Sequence, residues 1–484
     1  MRMIPTLPAS AIALLMAGCA VGPDFHTPDA VSDARYTPGP QLVQMTANGY
    51  PTQTLVAGDL PAQWWTLFRN PQLDATIRVA LDASPTLTQA RARLREAQEN
   101  LAARTGATQL PQVDAKLNAT RQQVNLQSVG ITQFPSPGPF TLYNASVQVS
   151  YALDLFGGQR RELEGLRAAV DYQRYELEAA RLTLAANVAT AAIREAGLRA
   201  QLGDTVAIAD AQQRQLGIMQ ERLKAGGVAR VDVQRQQAEL AQTQALIPGL
   251  SQQLDATRHQ LAVYTGQTPA SAQLPEFRLE DMQLPDTLPV SLPSELARRR
   301  PDIRAAEALL HQASANIGVA TANLYPQITL TASGGTQEMR ARDLFSSLNV
   351  WSLAAGVVQP IFHGGELHAQ KRAKEAAYEQ SLGAYRQAVL QGLQNVADSL
   401  RALEADAGTL QARADNAQQT HDTLSIVSEQ YRLGGVSQLT LLDAERQARQ
   451  AALDLSQARA TRLADSAALM QALGGGWWGE ESVK

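Results

Sequence analysis

The residue best suited to covalent chemistry in this sequence is Cys19, the only cysteine among 484 residues. A lone cysteine excludes an intrachain disulfide. It follows a positive start at Arg2 and an apolar stretch that ends in LLMAGC (residues 14–19), a pattern typical of bacterial signal peptides cut before an acylated cysteine. Met16 stands at the third position before the cysteine, where leucine is usual. We predict a lipoprotein signal peptide over 1–18 and lipid attachment, as a palmitate-type acyl anchor, at Cys19.

The residue after Cys19 indicates to which membrane the lipoprotein is sorted. Ala20 stands where inner-membrane lipoproteins carry a retaining aspartate, so the sequence favours delivery to the outer membrane. Several acyl chains anchor a protein firmly, whereas a single chain binds reversibly. The alternative interpretation is an ordinary secretory signal whose cysteine is incidental.

No set of residues in the sequence is typical of catalysis or metal binding. The six histidines form no HExxH motif, and HGGELH (363–368) is more typical of a surface turn than of a zinc site. We therefore expect no enzyme activity, no cofactor and no metal. The 42 basic and 46 acidic side chains give a net charge of -4, without the basic excess that would call for nucleic acid as a partner. We expect most of the scattered charges on the helices to lie on solvated faces or in ion pairs that contribute little singly.

Two glycine pairs interrupt otherwise helix-like sequence. They lie in RLKAGGV (222–228) and YRLGGVS (431–437). Because glycine reaches positive φ without steric cost, each pair predicts a tight reversal between two helices.

Polar and apolar candidates follow these turns. Leu439 and Asp443 are four residues apart, which places them on one face of a helix. Asp232 follows the first turn in the same way. An acid soon after a turn also has a simpler interpretation, as a solvated first-turn residue that stabilises the helix N-terminus.

The helices that must position these residues are unusually long. From residue 382 the apolar positions recur in alternating steps of three and four, and an earlier set recurs every seventh residue from Leu163 to Leu198. This spacing is typical of coiled coils. If 159–224 forms one helix, it is about 100 Å long, and neighbouring helices must cover its apolar stripes.

Four segments have the length and alternation of membrane-spanning β-strands. They lie at about 112–126, 140–153, 326–337 and 348–361, each roughly 10–15 residues long. Aromatic residues stand near their ends, at Tyr143, Tyr151, Tyr325 and Trp351. The alternative is an ordinary four-stranded sheet in water. Four strands cannot close a barrel, and open edges are not tolerated in lipid, so membrane strands would require several chains in one barrel.

The mature sequence is duplicated. LPQVDAKLNA (110–119) parallels YPQITLTASG (325–334), and SPTLTQARARLREAQ (84–98) parallels RPDIRAAEALLHQAS (300–314). The offset of a little over 200 residues far exceeds a solenoid repeat, so the sequence predicts one duplicated unit.

The combined motifs resemble a known family. CAVGPDFHTP (19–28), YRLGGVSQLTLLDAERQ (431–447) and ALGGGW (472–477) resemble the TolC-type outer-membrane factors, in particular the NodT and OprM-like efflux lipoproteins. The resemblance covers nearly the whole mature chain in motif order.

This resemblance implies an α+β membrane protein. Each chain of a homotrimer would give four strands to a 12-stranded outer-membrane β-barrel and its helices to a long periplasmic helical barrel. The implied parts of the chain are the signal peptide 1–18, an equatorial and anchor segment 19–83, a first repeat 84–265, a linker and equatorial segment 266–294, a second repeat 295–473 and a tail 474–484. The equatorial region would be of mixed α/β structure.

The implied function is the outer-membrane channel of a tripartite efflux system, which passively conducts drugs or other small toxic solutes. Its partners would be a periplasmic membrane-fusion adaptor, an inner-membrane pump of the resistance–nodulation–division class and outer-membrane lipid. The alternative is a periplasm-spanning structural or adaptor lipoprotein with coiled-coil helices, which would need no barrel-length strands.

The resemblance also assigns roles to the two turns. The adaptor would contact the helical tips, at Arg222, Lys224, Gly226, Gly227, Val228, Arg432, Leu433, Gly434, Gly435 and Val436. Leu439 would form an apolar constriction and Asp443 an anionic ring at the periplasmic gate, with Asp232 contributing to the same closure.

Overall fold

A computed structural model describes residues 20–29, 35–38, 43–47, 49–130, 132–133, 135, 137–345 and 350–477. Cys19, the signal peptide and the end of the predicted C-terminal tail therefore lie outside the described residues. The described helices are α1 (Pro71–Ala83), α2 (Pro85–Gln109), α3 (Gly158–Lys224), α4 (Arg230–Tyr264), α5 (Pro293–Arg299), α6 (Pro301–Ala322), α7 (Glu366–Arg432) and α8 (Gln438–Ala472). The strands are β1 (Gln44–Met45), β2 (Gln53–Ala57), β3 (Gln112–Gln122), β4 (Phe140–Leu153), β5 (Thr287–Val290), β6 (Gln327–Glu338) and β7 (Val350–Val358).

The order of elements repeats along the chain. A helix, two strands, a helix of 67 residues and a helix of 35 residues occur as α2-β3-β4-α3-α4 and again as α6-β6-β7-α7-α8. The long helices of the two series begin at Gly158 and Glu366 and end at Lys224 and Arg432. These limits are 208 positions apart at both ends, so the two halves fold with the same helix lengths.

The chain divides into two compact units. One comprises the described residues of Met1–Pro28, Arg93–Gln173 and Ala306–Tyr385, and the other those of Asp29–Ala92, Arg174–Ala305 and Arg386–Lys484.

The first unit contains a four-stranded antiparallel sheet in the order β3-β4-β6-β7. The two halves meet at its centre, where β4 pairs with β6 from Tyr143 opposite Glu338 to Leu153 opposite Ile328. The four predicted strands are present, but two of them are shorter than predicted. β3 stops at Gln122 because Asn125 caps a short 3₁₀ turn, and β7 stops at Val358, before Pro360, which has no N–H to donate to a ladder.

The second unit contains a small mixed sheet, whose strands lie within the implied equatorial segments 19–83 and 266–294. β1 pairs antiparallel with β2, and β2 pairs parallel with β5, with Thr54 opposite Thr287. Arg462 of α8, 1% exposed, fixes this sheet by donating from Nε to Gln53 Oε1 at 3.1 Å and from Nη2 to the Met45 carbonyl at 3.0 Å. Trp64, Phe68, Phe277 and Leu288 are buried in the same unit.

Within the described ranges, no helix combines the length and apolar character needed to cross a membrane.

Candidate functional site

The four-stranded sheet of the first unit has one apolar and one polar face. Side chains of residues paired across strands lie on the same face, and each step along a strand changes the face. One row joins Val113, Val149, Ala332 and Leu353, and the next on that face joins Ala115, Val147, Gly334 and Trp351. Large apolar side chains on this face are exposed, with Leu117 at 71%, Leu353 at 77% and Trp351 at 79%. Exposed apolar surface of this extent requires an apolar environment.

The opposite face of the sheet carries hydrogen-bonding side chains. One row joins Asp114, Gln148, Ser333 and Ser352. Lys116 Nζ donates to Gln148 Oε1 at 2.5 Å, and the Ser333 and Ser352 hydroxyls lie 2.8 Å apart. Apolar and polar faces that alternate along strands of this length are the pattern of a barrel wall between lipid and water.

The segment after Cys19 is fixed at the junction of β4 and α3. Arg161, 5% exposed, donates to Asp24 Oδ1 at 2.6 Å and to the Val21 carbonyl at 3.3 Å. This hydrogen bond and the Arg161 charge lower the pKa of Asp24. Gly157 has a φ of +78°, and a Cβ there would lie 2.6 Å from the Ala20 Cα, so only glycine fits. The residue next to Cys19 is thus held at the end of a sheet strand.

The two predicted helix reversals are present and have the same hydrogen bonds. Between α3 and α4, Gly226 donates to the Leu223 carbonyl at 3.0 Å and Gly227 donates to the Arg222 carbonyl at 2.7 Å. Between α7 and α8, Gly434 and Gly435 repeat the pattern at 3.0 and 2.8 Å, onto Tyr431 and Gln430. Both are Schellman caps, which need the left-handed backbone that Gly226 and Gly434 adopt at φ values of +74° and +78°.

The residues predicted to contact an adaptor are mostly exposed at these turns. Val228 and Val436 are half-buried, while the others of the set are exposed: Arg222, Lys224, Gly226, Gly227, Arg432, Leu433, Gly434 and Gly435. The Arg222 guanidinium lies 6.0 Å from the centre of the Tyr431 ring. This cation–π contact connects the two turns. Leu433 is a large apolar side chain that is 70% exposed there.

The residues predicted to form a gate lie just beyond the turns. Leu439 is 55% exposed in the first turn of α8. Asp443 forms an ion pair with Arg446 and accepts a hydrogen bond from Gln447 Nε2 at 2.9 Å. The interpretation of Asp443 as a first-turn acid was wrong, because α8 begins at Gln438 and its first turn carries no acid. Asp232 does lie in the first turn of α4, 3.9 Å from the Arg235 guanidinium.

A buried polar layer lies next to the gate residues, and the sequence analysis missed it. Gln438 Nε2 donates to Gln236 Oε1 at 3.1 Å, with both side chains buried. Farther along, Arg449 lies 2.9 Å from Glu239, with side-chain exposures of 10% and 13%. This pair is an ion pair, as expected for helix charges, but it is buried rather than solvated. The signal was available in α4, where Gln236 and Thr243 occupy a buried stripe with Val233 and Leu240.

Glu445 belongs to the same layer. Burial, together with the nearby Glu239 carboxylate, raises the pKa of Glu445 to about 6, although Arg449 opposes the shift. Its Oε2 has no hydrogen-bond partner, and it lines a cavity of about 380 Å³ with Gln212, whose side-chain amide is also unpartnered. The layer therefore holds a carboxyl group whose charge is disfavoured next to the predicted gate.

The histidine-containing segment forms a turn. Gly364 and Gly365 have φ values of +60° and +85°, and the Glu366 N–H donates to the His363 carbonyl at 3.0 Å as α7 begins. Among the described residues, no three His, Cys, Asp or Glu side chains are grouped as a metal site.

A family model described as "Outer membrane efflux protein" matches residues 76–267 and 292–475. The chain therefore belongs to the outer membrane efflux protein family. It is an outer-membrane efflux channel that extends into the periplasm.

Relatives and solved structures agree with this family. The chain is 32% identical over 429 residues to the pyoverdine export outer membrane protein OpmQ of Pseudomonas putida, covering 88% of this chain and 90% of OpmQ. Among solved structures, it is similar to the outer-membrane channel OprN, with a TM-score of 0.84, 27% identity and coverage of 95% of this chain and 100% of that one. The open-state MtrE channel of Neisseria gonorrhoeae gives a TM-score of 0.80 at 27% identity, covering 95% and 99% of the two chains. The helical channel fold predicted from the sequence is confirmed.

Proposed function

We propose that three copies of this chain form the exit channel of a tripartite efflux system. Each copy contributes four strands to a twelve-stranded β-barrel and its long helices to a periplasmic tunnel. The observation that carries this proposal is the amphipathic sheet, whose outer strands β3 and β7 each pair on one side only within the described chain. An open edge leaves backbone N–H and C=O groups unsatisfied in lipid, so other copies must complete the wall.

The oligomer is tested on outer-membrane fractions run on denaturing gels without heating. We expect an SDS-resistant species near three times the monomer mass, which heating converts to monomer. A species that stays monomeric before heating, found with the inner membrane, would contradict the channel and would favour a coiled-coil adaptor lipoprotein.

The channel works without chemistry of its own. It has the role of a passive conduit, and an inner-membrane pump, of the resistance–nodulation–division class, supplies the energy. The solutes are drugs or other small toxic compounds that the pump selects. The relative OpmQ exports pyoverdine, which extends the candidate solutes to secreted metabolites.

The adaptor of the membrane-fusion class docks on the two glycine turns. The exposed Leu433 and the neighbouring cations Arg432, Lys224 and Arg222 support this assignment, because an apolar residue with a charged rim is typical of a protein-binding surface. The repeated Schellman geometry gives six similar tips in a trimer, two from each copy.

The gate lies near the N-terminal ends of α8 and α4. Three-fold symmetry makes Leu439 an apolar ring and Asp443 an anionic ring, with Asp232 close to the same closure. The exposure of Leu439 and of the Asp443–Arg446 ion pair supports this role, since neither is covered by other described residues of the chain.

The lipid anchor is Cys19. The fixed position of Ala20 beside Gly157 supports it, because an acyl chain on the preceding residue would begin at the end of a membrane strand.

A further inference from the structure

The internal duplication carries information about the seam between neighbouring copies. β4 and β6 come from different halves of the chain and pair over eleven positions. Their counterparts at the outer edges, β7 and β3, have no second neighbour within the described chain. The two halves therefore pair once inside the chain, through β4 and β6. The corresponding edges, β7 and β3, are left unpaired within the described chain.

The correspondence between the two halves is fixed by motifs outside the pairing region. Leu110-Pro111-Gln112 precedes β3 as Tyr325-Pro326-Gln327 precedes β6, a shift of 215 positions. Leu155-Phe156 follows β4 as Ile361-Phe362 follows β7, a shift of 206 positions. Adding 206 to a residue number in β4 gives its equivalent in β7, and subtracting 215 from a residue number in β6 gives its equivalent in β3. Each observed β4–β6 pair therefore predicts one β7–β3 pair.

We propose that β7 of one copy pairs antiparallel with β3 of the next copy in the register of β4 on β6, with Leu353 opposite Ala119 of the next copy. This inference rests on the proposed trimer and adds its register. The observed pair of Val147 and Gly334 gives this assignment. The pair of Ser146 and Gly335 likewise sets Ser352 opposite Thr120.

The chemistry of the two faces agrees with this register. It sets Ala355 opposite Leu117 and Val357 opposite Ala115, so the apolar face continues across the seam. On the polar face, Ser352 meets Thr120. A slip by one residue would set the apolar-face residues of β7 against polar residues of β3, for example Leu353 against Asn118 or Thr120.

An aromatic contact next to the β4–β6 pairing also has equivalent residues at the outer edges of the sheet, and these are exposed. Phe156, after β4, stacks on Tyr325, before β6, with ring centroids 4.8 Å apart. The equivalent residues of the outer edges are Phe362 and Leu110, which are 85% and 63% exposed. The same register brings Phe362 of one copy onto Leu110 of the next, which would cover both.

Paired cysteines test the register in the full-length protein in cells. The predicted pairs are Leu353→Cys with Ala119→Cys, and Ser352→Cys with Thr120→Cys. The matched controls combine Leu353→Cys with Leu117→Cys or with Arg121→Cys, each two positions away on the same face. Directly opposite Cβ atoms lie about 4.5–5.5 Å apart and diagonal ones about 7–8 Å apart, whereas a disulfide needs about 3.5–4.5 Å. Opposite residues in an antiparallel ladder alternate between hydrogen-bonded pairs and closer, non-hydrogen-bonded pairs. The closer pairs lie on one face and form disulfides more readily, so one cysteine pair is tested on each face.

After mild oxidation, heated non-reducing gels report covalent dimers and trimers, and unheated gels report the trimer. We expect at least one predicted pair to cross-link about five-fold more than either shifted control, with the trimer intact in all variants. Stronger cross-linking of a shifted pair, or none in any pair while the trimer persists, would overturn the register and leave the channel standing. Loss of the trimer in the parent chain itself would instead refute the proposed function.

Discussion

Glu445 and Arg449 lie one helical turn apart on α8 and carry opposite charges in the same buried layer. Arg449 has Glu239 at 2.9 Å and donates to Thr243 Oγ1 at 2.7 Å, so its charge is compensated. The Glu445 carboxylate has Glu239 as a like-charged neighbour and an unpartnered Oε2. Burying a charge without a hydrogen-bond partner is costly, so burial and the Glu239 charge raise the pKa of Glu445.

We predict that Glu445→Gln stabilises the folded protein at pH 7.5 and has no effect at pH 4.5. The pKa of Glu445 is raised from 4.5 to about 6, so the folded state binds its proton more tightly than the unfolded state. The stability this gives is complete below pH 4.5 and is lost as the pH rises through about 6. The shift corresponds to roughly 2 kcal/mol, which partial solvent access reduces to about 1 kcal/mol.

The measurement is the temperature of thermal unfolding at both pH values, with Glu379→Gln, an exposed acid on α7, as the control. An increase of about 1–2 °C is expected for Glu445→Gln at pH 7.5 only. An equal effect at both pH values would show that the carboxyl does not titrate in this range.

Asp443 gives a second prediction, because it shares its charge with Arg446. Asp443→Asn removes the anion and leaves Arg446 uncompensated, so the constriction becomes more positive. We expect the cation-over-anion permeability ratio in planar bilayers to fall about two-fold or more. Arg446→Gln should raise this ratio.

Asp422→Asn on α7 is the control for Asp443→Asn, since Asp422 accepts a hydrogen bond from Gln418 at 2.9 Å and lies away from the turns in sequence. If Asp443→Asn and Arg446→Gln shift the ratio in the same direction, the anionic ring is not at the constriction.

At the scale of elements, long periodic segments could be predicted from the sequence and short ones could not. The helix predicted over 159–224 is observed as Gly158–Lys224, because its apolar stripe repeats for nine turns and more. The individual strands of the small sheet could not be placed from the sequence, because they are only two to five residues long and β2 pairs with β5 across more than 200 positions. No local periodicity records such a pairing.

Some parts of the candidate site could likewise be predicted from the sequence, and others could not. The glycine turns follow from a backbone requirement that only glycine meets, so the sequence predicts them directly. The Glu239–Arg449 pair depends on which faces of α4 and α8 meet. A charged residue in a long helix is exposed in most proteins, and tertiary packing decides the exceptions.

The tips provide the element-scale prediction. Leu433→Asp should reduce efflux without reducing the amount of trimer, because it places a charge in the apolar centre of the proposed adaptor contact. In a deletion strain carrying the variant, we expect drug tolerance to fall about four-fold or more. Leu433 is preferable to Gly434 for this test, since a substitution at Gly434 would also strain a left-handed backbone.

Ile426→Asp is the matched control for the tip. Ile426 is an exposed apolar residue at 59%, on α7 and seven residues before Leu433. Equal loss of tolerance for both variants would indicate a general defect, and full tolerance with Leu433→Asp would remove the tip from the adaptor contact.

At the scale of the whole molecule, two features could hold the protein in the membrane: the apolar face of the sheet and the proposed lipid anchor. The sheet has an apolar face with large exposed side chains, which three copies would turn into a closed lipid-facing wall. The proposed acyl group at Cys19 would add a separate anchor. Arg161 ties the segment from Val21 to Asp24 to the end of β4. A closed wall satisfies its own backbone and does not depend on the lipid chain.

Cys19→Ala should therefore abolish incorporation of radiolabelled palmitate and leave at least half of the heat-dissociable trimer in the outer membrane. Met16→Leu is the matched variant, because it gives the signal its usual residue and should leave labelling equal or higher. Label that persists in Cys19→Ala would place acylation elsewhere. A labelled parent whose Cys19→Ala variant yields no trimer would make the anchor a requirement for assembly, and the sheet alone would then be insufficient to hold the channel in the membrane.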